Sequence, residues 1–191
     1  SAVREIIAKG VTIVASAGNS AGHAVSEPAS CAGVIGVAGL RHIGTKVGYS
    51  SFGTEVALAA PGGNCVNVGA GQPCLFSLDT TANLGATAPG ASSYTDPFTY
   101  NVGTSFSAPI VAAIAALMES VNGNLRGPQL LARLREGALP FPAPPAGLPL
   151  CQVGVPSADL GCACTTSTCG AGMANAPASV AAAERPIAAI A

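Results

Sequence analysis

The stretch that decides the fold of this 191-residue chain is Asn101-Val102-Gly103-Thr104-Ser105-Phe106-Ser107-Ala108-Pro109. A short apolar strand is predicted from Phe98 to Val102, and an uninterrupted apolar run follows the turn, from Ala108 to Met118. This pattern predicts a serine, Ser105, at the start of a buried helix. Free backbone N–H groups and the positive end of the helix dipole face outward at such a position.

Two interpretations of this serine follow from spacing alone. An oxyanion formed beside Ser105 would be stabilised by the helix N–H donors, and Gly103 would let a substrate backbone approach closely. Pro109 is expected to be tolerated because the first turn of a helix needs no N–H there. The alternative is that Ser105 and Ser107 are helix N-caps without any catalytic role. Spacing leaves both interpretations open.

Three segments resemble conserved parts of the subtilisin-like serine peptidases, the subtilases, and they occur in the family's order. Gly-Thr-Ser-Phe-Ser-Ala-Pro (103–109) resembles the nucleophile segment, and Val11 to Ser20 resembles the strand that ends in Ala-Gly-Asn. The third segment comprises residues 49–53 and 59–62. The cysteine pattern is similar to that of secreted bacterial subtilases of the Xanthomonas and Dichelobacter type.

The resemblance implies a role for individual residues. Ser105 corresponds to the nucleophile, and Asn19 corresponds to the asparagine whose side-chain amide donates to the oxyanion. Thr104 would support that donor through its hydroxyl, although a role in the turn alone is an equal alternative. The primary specificity pocket would have Ser16, Ala17 and Gly18 in one wall and Val25 and Ser26 at its base. No charged residue matches this pocket, which favours an apolar or aromatic substrate side chain.

The rest of the family's catalytic triad has no match in this chain. A subtilase uses aspartate, histidine and serine in that order, but none of the flanking sequences here fits the motifs of the first two. The aspartates and histidines of the chain are Asp79, Asp96, Asp159, His23 and His42, and both histidines fall in predicted surface loops. We therefore expect residues 1–191 to be the C-terminal portion of one three-layer α/β subtilisin-like domain with a mostly parallel sheet. The aspartate and histidine would come from an N-terminal fragment or companion chain, without which Ser105 is not activated.

Two other functions compete with a serine endopeptidase. A catalytically inactive subtilase-like scaffold or binding module is compatible with the missing aspartate and histidine. An α/β-hydrolase esterase is disfavoured, because Ser107 occupies the position of the second glycine in Gly-x-Ser-x-Gly. A companion chain with the two missing motifs would distinguish the peptidase from both.

Composition restricts the partners. Charged residues make up 9% of the chain and the net charge is −1, so neither nucleic acid nor an anionic membrane is an expected partner. The longest apolar run, 108–118, is about half the length needed to cross a bilayer. The expected substrate is a protein or peptide.

Seven cysteines favour disulfides in a secreted protein over a zinc site, since no histidine lies near and the spacing is unusual for zinc. The predicted pairs are Cys65–Cys74, Cys164–Cys169 and Cys151–Cys162. Cys31 remains, and the resemblance implies that its partner lies in the missing part, with a free thiol as the alternative. The resemblance also admits a structural calcium ion near Glu55 and Ala29, but it assigns no ligands and no cofactor for the chemistry.

Hydrophobic periodicity predicts the remaining elements. Residues 2–9 form an amphipathic helix that ends at Gly10, and Val11 to Ser16 form a central parallel strand covered on both faces. Further strands are expected at 34–38 and 56–60, and further helices at 105–121 and 128–136. The resemblance implies a last strand and a terminal helix after Gly170. The Gly, Ala, Thr, Ser and Pro content of 63–97 predicts an irregular excursion with a short hairpin at 75–78. The resemblance implies a cis bond before Pro28.

Overall fold

A parallel three-stranded sheet organises the molecule. The structure, a computed structural model, describes residues 2–64, 77–96, 98, 101–155 and 161–186. Strands β1 (Val14–Ser16), β2 (Ile35–Leu40) and β3 (Val56–Pro61) pair in that order, with Val14 opposite Ile35 and Val37 opposite Leu58. A helix, α1 (Ala2–Ala8), precedes the sheet and ends before Gly10, whose positive φ stops it as predicted.

Strands β2 and β3 are buried on both faces except at Pro61, because adjacent residues of a strand point in opposite directions and a core lies on each side. Val37 and Leu58 face a core shared with the helices, whereas Ala38 and Ala59 face a second core that contains Phe52. All of β2 is buried. The strands predicted at 34–38 and 56–60 are therefore present, shifted by one or two residues at their ends.

The expectation of a central β1 is wrong for the described residues. β1 pairs with β2 alone, and its residues are only partly buried. Its apolar sequence would suit a strand that is covered on both faces. Within the described ranges, however, one edge has no partner strand.

The long helix α2 (Thr104–Val121) packs against all three strands. Val111, Ile114 and Met118 lie in the core, but Ala113 and Leu117 on another face are exposed. The prediction of a buried helix after Ser105 thus holds for one face of α2 and is wrong for the other. Its length and apolarity would suffice to cross a membrane, but its buried face is part of the protein core.

The expectation that Pro109 lies in the first turn of the helix is also wrong. α2 begins at Thr104, so Pro109 lies in the second turn rather than the first. In an α-helix its missing N–H would have bonded to the carbonyl of Ser105, four residues earlier. The proline therefore removes the regular helical partner of the Ser105 carbonyl.

Two shorter helices close the helical layer. α3 (Gly127–Glu136) has proline in its first turn and buries Leu130 and Leu134. α4 (Ala176–Ala183) is capped by the Asn175 side chain, which accepts a hydrogen bond from the Ala178 N–H at 2.9 Å. The strand expected after Gly170 is reduced to isolated bridges, in which Met173 pairs with Ala59 and Leu139.

A β-hairpin that the sequence did not predict lies in the excursion between β3 and α2. β4 (Thr81–Asn83) pairs antiparallel with β5 (Ser92–Tyr94). Its residues alternate between exposed and half-exposed, so no hydrophobic pattern marks the two strands. Residues 75 and 76 of the expected hairpin lie outside the described residues, and Leu78 forms a single bridge with Asn101. Of the predicted strand 98–102, residues 99 and 100 also lie outside them.

The structure contains two of the predicted disulfides, Cys151–Cys162 and Cys164–Cys169. These four cysteines belong to the second core, where they pack against the side of the sheet opposite α2. Cys31 is a half-buried free thiol within the described chain. Cys65 and Cys74 lie outside the described residues, so that pair stays a prediction. The Glu27–Pro28 bond is cis, as expected.

Candidate active site

The predicted nucleophile, Ser105, lies at the exposed N-terminal end of α2. The turn before it is fixed by Gly103, whose N–H donates to Gly62 O at 2.9 Å and whose φ of 154° favours glycine. Thr104, the first residue of the helix, is fully buried, whereas Ser105 is exposed. The serine hydroxyl is therefore accessible on a rigid, buried support.

Asn19 is attached to this turn through Thr104. The Thr104 N–H and the Thr104 hydroxyl both donate to Asn19 Oδ1 at 2.9 Å, and the Gly18 N–H donates to Thr104 Oγ1 at 3.3 Å. A backbone N–H can only donate, so the oxygen of the Asn19 amide must face it. The orientation of this amide is thus determined by the hydrogen bonds.

Two donors at this position have no acceptor among the described residues. The first is Asn19 Nδ2, which the orientation of its amide turns away from Thr104. The second is the Ser105 N–H, which makes no hydrogen bond within the described residues, whereas the Thr104 N–H donates to Asn19 and the Phe106 N–H donates to Gly103 O. A Cβ placed on Gly103 would lie 3.3 Å from Asn19 Nδ2, so the asparagine amide and the nucleophile turn are adjacent.

Side chains from two directions hold the Pro61-Gly62-Gly63 turn that supports Gly103. The Tyr49 hydroxyl donates to Gly62 O and to Gly63 O, the latter at 3.0 Å, and Ser107 Oγ donates to Pro61 O at 3.1 Å. Burial raises the pKa of the Tyr49 hydroxyl far above its usual range, so it remains a proton donor at neutral pH.

The residues predicted to form the specificity pocket lie around Gly18. The Ser26 N–H donates to Ala17 O at 2.9 Å, and a Cβ on Gly18 would come within 2.6 Å of Ser26 Oγ. Gly18 also has a φ of +110°, so no other residue fits without strain. Val25 lies beside Gly53 and packs, partly buried, against the second core. The structure therefore brings Ser26 directly to the predicted wall at Gly18, whereas the described contacts of Val25 are with Gly53 and that core.

No base is attached to the serine in the described part of the chain. His23 and His42 are both exposed, and no hydrogen bond joins Ser105 to a histidine or a carboxylate there. A neutral serine hydroxyl is a weak nucleophile without an adjacent base. The described residues thus supply a serine and two unpaired donors, but no group that accepts the serine proton.

Comparison with known proteins identifies the family. The family model described as "Subtilase family" matches residues 1–175. This chain belongs to the subtilase family. An extracellular protease of Xanthomonas campestris pv. campestris is 40% identical over 121 residues, which are 63% of this chain and 18% of that protein. An extracellular basic protease of Dichelobacter nodosus is 32% identical over 117 residues, which are 61% of this chain and 17% of that protein.

The fold of this subtilase is that of its solved relatives. A protease from Pseudoalteromonas arctica superimposes with a TM-score of 0.75 at 30% identity, over 95% of this chain and 45% of that one. The α/β subtilisin-like fold expected from the sequence is confirmed. The subtilase chain spans less than a fifth of the length of the two curated relatives and less than half of the solved one.

The described residues bring together a single group with potential ligand atoms, Cys151, Cys164 and Cys169, and all three are in disulfides. A disulfide sulfur lacks the thiolate that binds metal. Calcium prefers six to eight oxygen ligands, including carboxylates. No carboxylate cluster of the described residues fits such an ion.

Two residues that support the site of this subtilase, and one buried lysine, have no signal in the sequence. Tyr49 and Ser107 hold the Pro61–Gly63 turn, and Lys46 is a fully buried lysine within the loop that follows β2. Tyr49 lies within a segment that resembles the family, but the acceptors of its hydrogen bonds are backbone carbonyls. Because carbonyl positions depend on the fold, no residue pattern signalled these contacts.

Proposed function

We propose that this protein is a serine endopeptidase that forms an acyl-enzyme on Ser105, with a histidine and an aspartate supplied by an N-terminal segment or companion chain. The observation that carries the proposal is the orientation of Asn19. Its Oδ1 accepts two hydrogen bonds from Thr104, so its Nδ2 is left as a donor beside the nucleophile turn. A helix cap requires no such second donor.

The chemistry follows from these positions. Ser105 Oγ attacks the carbonyl carbon of a peptide bond while the histidine takes its proton, and the carbonyl oxygen becomes an oxyanion. Asn19 Nδ2 and the Ser105 N–H donate to that oxyanion, and the positive end of α2 stabilises its charge. The histidine then gives the proton to the leaving amine. Water hydrolyses the remaining ester, which frees Ser105.

The surface that would receive the N-terminal segment is apolar and open. Ala113, Leu117 and Val121 recur at four-residue intervals, so they form one stripe along α2, and all three are exposed. Leu117 is 51% exposed and Val121 is 47% exposed. Fully burying side chains of this size stabilises a complex by roughly 1.5–3 kcal/mol each. One edge of β1 pairs with no strand of the described residues. Together with this edge, the stripe supports an N-terminal segment that adds strands to the sheet and covers α2.

The surroundings of Gly18, the disulfides and the net charge of the chain bear on its substrate and its location. Gly18 and its neighbours present no charge, which supports a preference for an apolar or aromatic substrate side chain in a protein or peptide. Two disulfides and relatives named extracellular proteases support secretion. Neither nucleic acid nor a membrane is a proposed partner, because the chain has a net charge of −1.

Calcium has no assigned role in this proposal. A relative from Trichormus variabilis, 38% identical over 125 residues, is named a calcium-dependent protease. In this chain Glu55 is the one carboxylate at the expected position, and the described residues form no carboxylate cluster around it. A structural calcium ion remains an expectation for the assembled protein, without assigned ligands, and no cofactor is proposed for the chemistry.

The inactive scaffold is the second candidate, favoured by the absence of a base beside Ser105 among the described residues. Hydrolysis of a fluorogenic peptide by the chain assembled with the N-terminal segment distinguishes the two functions. We expect activity that Ser105→Ala abolishes and that Ser120→Ala, an exposed serine near the other end of α2, leaves intact. Activity that survives Ser105→Ala would overturn the proposed acyl-enzyme, and complete inactivity of the assembled protein would favour the scaffold.

A further inference from the structure

One charged side chain of the described residues is fully buried without an ionic partner. Lys46 is 0% exposed, and its Nζ donates to Val47 O at 2.9 Å, to Gly48 O at 2.8 Å and to Ser50 O at 3.2 Å. The ring of Phe52 lies 5.8 Å from Nζ. Both ion pairs in the described chain involve Glu136 on α3, so Lys46 takes part in neither. The ammonium is therefore held by backbone carbonyls.

The segment that Lys46 holds supports the turn around Asn19. The Ala21 N–H donates to Tyr49 O at 2.8 Å, and the Gly22 N–H donates to Ser50 O at 2.9 Å. On the other side of Asn19, the Ser51 N–H donates to Gly18 O at 2.8 Å. Residues 49–51 thus bind the Asn19 turn both before and after the asparagine.

Ser50 connects the two systems directly. Its carbonyl oxygen accepts from both Lys46 Nζ and the Gly22 N–H, and its hydroxyl accepts from the Gly39 N–H of β2 at 2.8 Å. The orientation of the Ser50 peptide is therefore shared between the lysine and the Asn19 turn. A change at Nζ reaches the turn through a single carbonyl.

The energetics require an explanation for a buried charge at this position. Burial of an unpaired ammonium costs free energy, and apolar replacements of buried charges are often neutral or stabilising. Three carbonyls that point to one place repel each other unless a cation or a donor lies between them. The lysine thus stabilises one particular backbone arrangement of residues 47–50.

We propose that Lys46 is a positioning residue for Asn19, whose ammonium fixes the carbonyls of Val47, Gly48 and Ser50 and thereby fixes the turn that presents the Asn19 amide. The inference rests on the proposed role of Asn19 as an oxyanion donor. Lys46 touches neither substrate nor reacting atoms, and it acts through Ser50 and the Asn19 turn.

The test compares Lys46→Met, similar in length but without charge or donors, with Lys46→Arg, which keeps both. Lys9, the other lysine of the chain, is exposed, so Lys9→Met is the matched control. Hydrogen exchange is measured in the assembled protein on peptides that cover residues 18–22 and, as an internal reference, strand β2. We expect Lys46→Met to accelerate exchange at 18–22 by about tenfold, as the loss of a charged hydrogen bond predicts, without affecting β2.

Kinetics provide the second measurement. Lys46→Met should lower kcat by about tenfold and leave KM within about twofold of the unmodified protein. Lys46→Arg should have the kcat of the unmodified protein. In an Asn19→Ala background, Lys46→Met should lower kcat no further. Unchanged exchange at 18–22 would overturn the positioning role. If Lys46→Met does not fold, the Lys46→Arg variant provides the test. Accelerated exchange at 18–22 in a folded Lys46→Arg protein would contradict the positioning role of Lys46. Failure of the proposed function is distinct, because the assembled protein would then show no activity that depends on Ser105, whereas the exchange comparison at 18–22 would still test the positioning role.

Discussion

Thr104 holds the Asn19 side chain at two points, with its backbone N–H and its hydroxyl both 2.9 Å from Asn19 Oδ1. The two residues are 85 positions apart in the chain, and one lies after β1 whereas the other begins α2. This double contact gives the Asn19 amide one orientation. It is the reason why a donor, rather than an acceptor, is available beside Ser105.

Replacement of Asn19 tests the donor directly. Asn19→Ala should lower kcat by about 10²–10³-fold, equivalent to roughly 2.7–4 kcal/mol, with little change in KM, because the donor acts on the developing oxyanion. Asn124→Ala, at an exposed asparagine after α2, is the control. Steady-state kinetics of the assembled protein provide the measurement. A kcat within about twofold of the unmodified protein would exclude an oxyanion role for Asn19.

Removal of the Thr104 hydroxyl tests the coupling. Thr104→Val keeps the shape and the backbone N–H but loses the donor to Asn19 Oδ1, so we expect kcat to fall by about tenfold. Thr104→Ser retains the hydroxyl and should remain close to the unmodified protein. If valine and serine at this position give equal kcat values, Thr104 has a role in the turn alone.

A charge on the apolar stripe of α2 tests the proposed N-terminal segment. Leu117→Asp should weaken its association with that segment by at least about tenfold, because an aspartate would have to be buried against apolar surface. Ala132→Asp places the same charge on an exposed position of α3 and should leave association unchanged. Analytical ultracentrifugation or isothermal titration measures both. Equal affinities for the two variants would show that the segment does not cover α2.

The buried lysine predicts a pH dependence of stability. Burial lowers the pKa of Lys46 from 10.5 to about 8. Between these two values the unfolded state binds more protons than the folded state, so the contribution of Lys46 to the free energy of unfolding rises with pH. The destabilisation caused by burying the charged lysine is complete below pH 8 and diminishes above pH 8.

The experiment compares urea unfolding of the unmodified protein and of Lys46→Met at pH 7 and pH 9.5, where other groups cancel in the difference. The unmodified protein should gain stability relative to Lys46→Met at the higher pH. A difference that stays constant, or that changes in the opposite direction, would show that the pKa of Lys46 is not lowered.

Much of the fold was predictable because its signals are local. The apolar runs that become β2, β3 and α2 appear directly in the sequence, and Gly10 marks the end of α1. The position of Asn19 near Ser105 came from resemblance, since 86 residues separate them and no periodicity relates the two. The Cys164–Cys169 pair was predictable because a short loop keeps the two residues close.

What escaped prediction depends on partners rather than on residue type. β1 and α2 have the composition of buried elements. Burial depends on the elements packed around them, however, and within the described residues nothing covers one edge of β1 or one face of α2. Lysine is a residue type that usually lies at the surface, yet the carbonyls of its own loop surround Lys46. The β4–β5 hairpin lacks a hydrophobic face, so alternation could not reveal it.

The most direct test of the central claim is labelling of the assembled protein with a fluorophosphonate, followed by peptide mass spectrometry to locate the adduct. Fluorophosphonates react with serines that an adjacent base activates. We predict one stoichiometric adduct, on Ser105, which Asn19→Ala slows and Ser105→Ala abolishes. A folded, assembled protein that acquires no adduct, or acquires it on another serine, would contradict the assignment of Ser105 as the nucleophile.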